Sequence, residues 1–495
     1  MDNTNYTQNQ PQCETIKGDS CGVTHERRRT ANYKPNIWSY DFIQSLTSNF
    51  TKATYKERAE KLKDEFVDVL SEVPELSKPH IVETIRKLGL SNVFHTEIMD
   101  ALDSIVSNLN ANNVDFEEDI LDTSLSFRLL RQHGYHASED MFINFIGEMD
   151  LRKGEAGSKS DFRGILELFE ATRLALDGEE VMEKVKTFSY QYLTDNFLDM
   201  DINLAKQVAY ASENPCHRKV LWFDVRHQIH TYELEDNKNL ILLELAKLNF
   251  NIVQDMHLED LKQMSRWDYE EVDQLPECMK ICFQALVTTT NEIAKDIQKD
   301  KCWNNNDVSP FLKTGWADFC KALLLEAWWD KKRCIPSLED YLSSAWITSS
   351  GPLLSLVALL CTTDGKPEEL YEKWEDNQDL IYYTSLVIRL LNDQGTSAAE
   401  LERGDAHSSI LCYMEEASVT EAIAREHMKD IIDSAWSKIN MELLNAKTEQ
   451  QTFVNLVINT ARVCHFIYQK GDGFSVQDGD TKKKIKRLLI EPIKL

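Results

Sequence analysis

Glycine and proline are scarce in this chain, 17 and 11 among 495 residues, and no stretch sustains the apolar–polar alternation of half-buried strands. A sheet-built domain is excluded on both counts, since hairpins need turn residues and strands need a period of two. Long apolar runs are also missing: the longest, residues 351–361, falls well short of the about 20 residues that a bilayer core demands, so no membrane span is expected. The 11 cysteines form no C-x-x-C pair and are odd in number, which argues against a disulfide framework and for reduced thiols. Cys278 and Cys282, four apart on an expected helix, read as core thiols rather than metal or redox ligands. Basic residues are in deficit, 55 against 82 acidic, for a formal net charge of −27; nucleic acid and anionic membrane surfaces are thereby excluded as partners of the whole molecule. Residues 1–26 lack both an apolar leader and an Arg- and Ser-rich transit composition, and are expected to be a disordered tail on a cytoplasmic protein. No repeat of fixed period is found, which excludes a solenoid.

What is present is helical periodicity. Residues 59–70, 94–109, 205–211, 240–254 and 380–392 place apolar side chains at spacings drawn from i, i+3, i+4 and i+7. With 42% apolar residues, the chain is expected to be an all-α globular protein with substantial cores. N-P-C-H-R-K-V-L-W, residues 214–222, interrupts the pattern and marks an expected boundary between helical domains at 27–222 and 223–495.

Within the second half, R-L-L-N-D-Q-G-T-S-A-A-E-L-E-R-G-D (residues 389–405) carries chemistry. Asn392, Thr396 and Glu400 recur every four residues, so a helix stacks them on one face and offers three oxygen ligands to a hard cation such as Mg²⁺. Arg389 shares that face. A solvated helix face has the same spacing. An anionic ligand facing so acidic a protein would need divalent cations between the two. Glu118-Asp119-Ile120-Leu121-Asp122 reads as a helix cap and first turn. His227 and His230 have no carboxylate-rich partner motif, and the lysines near residues 482–486 read as a solvated helix face.

From residue 27 to the end the sequence resembles the plant class I terpene synthases. Residues 389–405 are similar to that family's second metal motif, (N/D)Dxx(S/T)xxxE, in its longer R-L-x-N-D context. Arg28, Arg29 and Trp38 are similar to its tandem-arginine RRx8W signature. Residues 126–135, 242–254, 274–283 and the G-D-G-F of 471–474 match in order. The resemblance implies an amino-terminal α-barrel-like domain and a carboxy-terminal α-bundle. It further implies a monomer that ionises geranyl or farnesyl diphosphate with Mg²⁺, or Mn²⁺ in its place, and cyclises or deprotonates the carbocation to a terpene. Asn392, Thr396 and Glu400 would hold a metal ion, with Arg389 and Asn392 at the diphosphate. Arg28, Arg29, Trp38, Asp472 and Phe474 would form a lid that excludes water. Trp346 and Tyr468 would turn π faces to the cation, or fill core.

The sequence also departs from the family. Members carry an aspartate-rich D-D-x-x-D helix between an S-R-W run and a D-Q-L-P run; here Ser265-Arg266-Trp267 leads straight into Asp268, and D-D-x-x-D occurs nowhere. Several dozen residues are expected to be absent, as a skipped exon or a faulty gene model would produce. Ser408 stands where the family has a lysine facing the diphosphate, beside His407, which is expected at the surface. Activity of this form is therefore expected to be weak or absent.

Overall fold

In a computed structural model, residues 38, 40–48, 50, 53–110, 119–152, 159–264, 277–301, 303, 305–332, 334–363, 369–403, 407–469, 471–473 and 479–495 are described. Helices dominate throughout, and among the described residues the only β pairing is an isolated bridge between Gln469 and Gly471. Ten α-helices precede residue 234: α1 (Tyr40–Ser45), α2 (Ala53–Ser71), α3 (Lys78–Lys87), α4 (His95–Asn110), α5 (Ile120–Gln132), α6 (Ile143–Arg152), α7 (Lys159–Ala171), α8 (Glu180–Asp195), α9 (Ile202–Glu213) and α10 (Val225–Glu233). Those that follow are α11 (Leu240–Met264), α12 (Glu277–Lys301), α13 (Asn305–Lys332), α14 (Leu338–Thr348), α15 (Gly351–Thr362), α16 (Glu369–Asp376), α17 (Gln378–Arg403), α18 (Ser409–Ala417), α19 (Glu421–Asn445), α20 (Gln451–Tyr468) and α21 (Gly479–Leu489). All five periodic segments fall on helices, and the interruption at 214–222 becomes two 3₁₀ turns, Cys216–Arg218 and Leu221–Phe223.

Local chemistry sets the ends of these helices. Asp119 caps α5 by accepting from the Leu121 amide at 2.8 Å, so the acidic run before α5 is a cap, as its composition implies. At the other end Gly134 adopts φ 81°, and the Tyr135 amide reaches back to the Leu130 carbonyl at 3.0 Å. That left-handed turn is open to glycine without a Cβ penalty. Between cap and stop, Phe127, Leu129 and Leu130 are fully buried, each contributing about 1.5–3 kcal/mol. Arg128 and Arg131 are buried with them, which is tolerable only because both are paired. Arg128 meets Glu83 at 3.1 Å and also Glu167, while Arg131 meets Glu179 and the carbonyls of Ala137 and Leu174.

Two large hydrophobic clusters result among the described residues, with a third, small one of Trp329, Tyr341, Ala345 and Cys412. The first gathers residues from Leu62 to Phe250, and α10 and α11 join it through Val225, Ile229, Leu242, Leu245 and Phe250. The second gathers residues from Ala294 to Ala461 around Trp436, with α15, α17, α19 and α20 as its walls. The last residues return to the first cluster. The Asn251 side chain donates to the Ile493 carbonyl at 2.8 Å and accepts from the Ile493 amide at 2.6 Å. Gln254 donates to the Leu488 carbonyl at 2.9 Å.

Leu338–Thr362 is 25 residues and holds an 18-residue window with a mean hydropathy of 1.5, long and apolar enough on paper to cross a membrane. Ser350, at φ 66°, breaks it into α14 and α15, and at about 1.5 Å per residue neither reaches the roughly 30 Å of a bilayer core. One expectation is corrected here: Cys282 is exposed on α12. It falls roughly a quarter turn from the buried Ala294 and Ile297 at 3.6 residues per turn, so the helix turns it out of the core. The side chain of Cys278 lies outside the described residues.

Candidate functional site

Helix α17 carries Arg389, Asn392, Thr396 and Glu400 on one continuous face. Arg389 organises its start. Its Nε donates to the Ala345 carbonyl at 3.1 Å, one terminal nitrogen to Asn392 Oδ1 at 3.0 Å, and the other to Thr348 Oγ1 at 2.9 Å. The first terminal nitrogen also lies 3.5 Å from the Asp393 carboxylate. A guanidinium has five N–H donors, so at most one remains for a ligand. Thr348 passes the network on by donating to Glu326 of α13.

Asn392 is half-buried and hydrogen-bonds the Tyr468 hydroxyl, which burial pushes up to about 12. Thr396 is 5% exposed and donates to the Asn392 carbonyl at 2.9 Å, which leaves its oxygen lone pairs unused. Glu400 is half-buried one turn farther on. An amide oxygen, a hydroxyl and a carboxylate are the hard donors Mg²⁺ prefers, so as a donor set the three residues fit one such ion. Among the described residues no group of three or more His, Cys, Asp or Glu is placed to hold a metal.

Asp393, which sequence reasoning passed over, is 1% exposed. It accepts from the Tyr341 hydroxyl at 3.1 Å and the Ser409 amide at 2.8 Å, tying α14, α17 and α18 together. Burial, reinforced by that carboxylate, holds the Tyr341 hydroxyl well above its ordinary range. The clue was its position: one residue past Asn392 on a helix is about 100° around, which turns it from the ligand face into the core.

The G-D-G-F loop begins against the same helix. A Cβ on Gly395 would lie 3.0 Å from Tyr468 Cδ1 and 3.2 Å from the Gly471 carbonyl, so the loop start meets α17 at the residue next to Thr396. Asp472 is half-buried there. Ser408 is the buried N-cap of α18 and accepts from the Leu411 amide at 3.3 Å. His407, expected at the surface, is half-buried with Nε2 out of solvent and without a partner, because the chain there turns inward so that Ser409 can reach Asp393. Trp346 donates to the Ser343 carbonyl at 3.0 Å and packs edge-on against Tyr382 at 5.3 Å. Trp38 stacks on Phe42 at 5.7 Å with the Lys482 ammonium 5.6 Å from its ring, so part of the lysine-rich face of α21 is engaged with an aromatic. His227 and His230 are both exposed. Arg28, Arg29, Phe474 and the Trp267–Asp268 junction lie outside the described residues.

The class in view is an all-α protein with two large cores and a face of oxygen donors braced by a half-buried arginine. Two family descriptions match in order along it: "Terpene synthase, N-terminal domain" over residues 37–211 and "Terpene synthase family, metal binding domain" over residues 257–438. The chain is 39% identical to an alpha-farnesene synthase of Ricinus communis, with 98% of each covered. Its fold matches a crystal structure of limonene synthase with 2-fluorolinalyl diphosphate at a TM-score of 0.83, with 28% identity over 94% of this chain and 100% of that one. It also matches isoprene synthase from grey poplar leaves, in complex with three Mg²⁺ ions and dimethylallyl-S-thiolodiphosphate, at a TM-score of 0.76, with 31% identity over 93% of this chain and 99% of that one. The chain belongs to the terpene synthase family.

Proposed function

We propose that the chain derives from a cytoplasmic, monomeric enzyme that ionises a linear prenyl diphosphate, farnesyl in preference to geranyl, and that the present form does so weakly or not at all. In that reaction the allylic C–O bond breaks with its electron pair leaving on the diphosphate, and the carbocation cyclises or loses a proton to give a hydrocarbon. Mg²⁺, or Mn²⁺ in its place, supplies Lewis-acid neutralisation of the leaving oxygens when bound. Asn392, Thr396 and Glu400 would hold one ion. Arg389 would set the Asn392 amide and turn its remaining N–H to the diphosphate. Trp38 with Arg28 and Arg29, and Asp472 with Phe474, would close the mouth against water in a catalytic portion spanning 223–495, with 27–222 non-catalytic.

The observation that carries the reading is the α17 face, together with the absence of any D-D-x-x-D run from the sequence. The alignment with the Ricinus relative supports a missing segment: it runs over 559 positions and this chain has 495 residues, so at least 64 positions hold no residue of this chain. Each well-placed ion is worth several kcal/mol of transition-state stabilisation, and about 1.4 kcal/mol is tenfold in rate. Loss of a metal-binding wall thus lowers turnover by orders of magnitude. A second reading, a catalytically inactive family member, is favoured by Ser408, which serves as a helix cap where a lysine would meet the diphosphate.

The test is to sequence the transcript across the codons for residues 266–269 and assay this chain and any longer form with Mg²⁺ and each prenyl diphosphate. Turnover by the longer form alone is the expected result. Efficient turnover by the short form would overturn the proposal, and a product from geranyl but not farnesyl diphosphate would reverse the substrate assignment.

A further inference from the structure

Between Trp316 and Trp329, helix α13 carries only three charged residues, Asp318, Lys321 and Glu326, and its apolar side chains point in every direction. A helix of that composition belongs inside a fold. One side of it does: Trp329 clusters with Tyr341 and Ala345 of α14, and a Cβ on Gly315 would meet Leu353 and Leu356 of α15 at 3.1 and 2.9 Å. The other side lies open. Ala317, Cys320, Leu324, Ala327 and Trp328 are all exposed, and at 3.6 residues per turn they form one stripe, with the alternating three- and four-residue steps of a helix–helix seam. Leu324 and Trp328 are 71% and 51% exposed, and Leu323 and Leu325, which flank the stripe, are 41% and 40% exposed.

The neighbouring helix is bare at the same level. Only residues 302–304 separate α12 from α13, so the two run antiparallel and the first half of α12 lies beside the second half of α13. Phe283 and Val287 sit about three and two turns before the buried Ala294, on its side of α12, yet are 49% and 37% exposed. The segment whose loss is proposed above would lie just ahead of α12, and that loss explains why an inward face stands uncovered.

We propose that two copies of the present chain pair through α13, antiparallel about a twofold axis at Leu324. In that register Leu324 meets Leu324, Trp328 meets Cys320 and Lys331 meets Ala317, so large side chains fall opposite small ones in a self-complementary seam. Lys321 and Lys331 lay their methylene stems over Ala327 and Ala317 of the second copy, and no two lysines meet. The area suffices. At roughly 200 Å² for a large side chain laid fully bare, Leu323, Leu324, Leu325 and Trp328 expose about 400 Å² per copy. The small stripe residues and lysine stems carry the paired interface past the about 1,000 Å² that a specific contact needs. The pairing rests on the proposed function only in taking the covering segment as lost, and molecular mass and turnover are separate readouts.

Sedimentation velocity of the full chain over a wide range of concentration tests it. Expected is a reversible shift from 57.2 kDa to twice that mass. Leu324→Glu, which sets two carboxylates face to face on the axis, should weaken pairing at least tenfold, and Trp328→Ala should weaken it severalfold. Leu198→Glu, at a leucine 94% exposed between α8 and α9, should leave it unchanged. A chain that stays monomeric throughout, whether because residues 265–276 cover the face or because it serves some other partner, would overturn the proposal. So would growth beyond two copies, pairing indifferent to Leu324→Glu, or equal weakening by Leu198→Glu. Circular dichroism of each variant establishes folding; if Leu324→Glu does not fold, Trp328→Ala decides alone.

Discussion

Arg389 holds three backbone or side-chain acceptors and a buried carboxylate at once, so its removal strands more than it deletes. Arg389→Gln leaves Asp393 charged and short of a cation in the core, and should lower stability by about 3–5 kcal/mol in urea unfolding. Lysine should rescue little, because a point charge cannot reproduce the fork. Glu170 makes a second prediction, through pH. Burial pushes its carboxyl up to about 7 from an ordinary 4.5. A raised folded pKa means that its contribution is complete below the unfolded value and is lost as pH rises through the folded one. From pH 5 to 8 the loss should be on the order of 3 kcal/mol. Glu170→Gln, which keeps an acceptor for the Cys216 amide at 2.7 Å, should flatten that slope in thermal melts across the range. His133 acts oppositely: burial lowers it to about 4, so its contribution is lost as pH falls from about 6.5 toward 4. At this scale the sequence was legible where a residue acts through its own backbone neighbourhood, as Asp119 does. It was opaque where the partner is remote. Asp393 reads as a motif letter until Tyr341 and Ser409 are seen to converge on it, and His407 reads as surface until the turn into α18 carries it inward.

Helices α15, α17 and α20 approach closely at glycines. A Cβ on Gly395 would press on Tyr468 and the Gly471 carbonyl at 3.0–3.2 Å, whereas one on Gly351 would sit 2.2 Å from Ser385 Oγ and 2.9 Å from its Cα. Gly395→Ala should cost about 1 kcal/mol, the overpacking being partly offset by better helix propensity. Gly351→Ala should cost about 3 kcal/mol, since backbone rather than a side-chain tip must move. Thermal denaturation of the two variants checks the order. The helices themselves were legible because a 3.6-residue period is local information. Their faces were less so: Cys282 sits on the helix its spacing implies but on the wrong side, since a short apolar stripe leaves the azimuth loosely set.

Across the whole molecule, the two cores are joined by a polar seam. Arg218 meets Asp433, His217 meets Asn440 at 2.7 Å, Arg462 donates to the His217 carbonyl at 2.9 Å, and Asn440 donates to the Arg173 carbonyl at 3.1 Å. Asn440→Leu removes two of these contacts and strands their buried partners, at a cost of about 3 kcal/mol. Calorimetry should then resolve two transitions in place of one, with the cores melting separately. None of these pairings has a sequence signature, because their members lie more than 200 residues apart. Nor does periodicity say which core a helix joins, and α11 sides with the first although it follows the 214–222 break. The two-way grip of Asn251 on Ile493 adds a temporal consequence. A chain made from its amino terminus cannot finish its first core until residue 493 has left the ribosome, so the first core is completed only after the second has been synthesised.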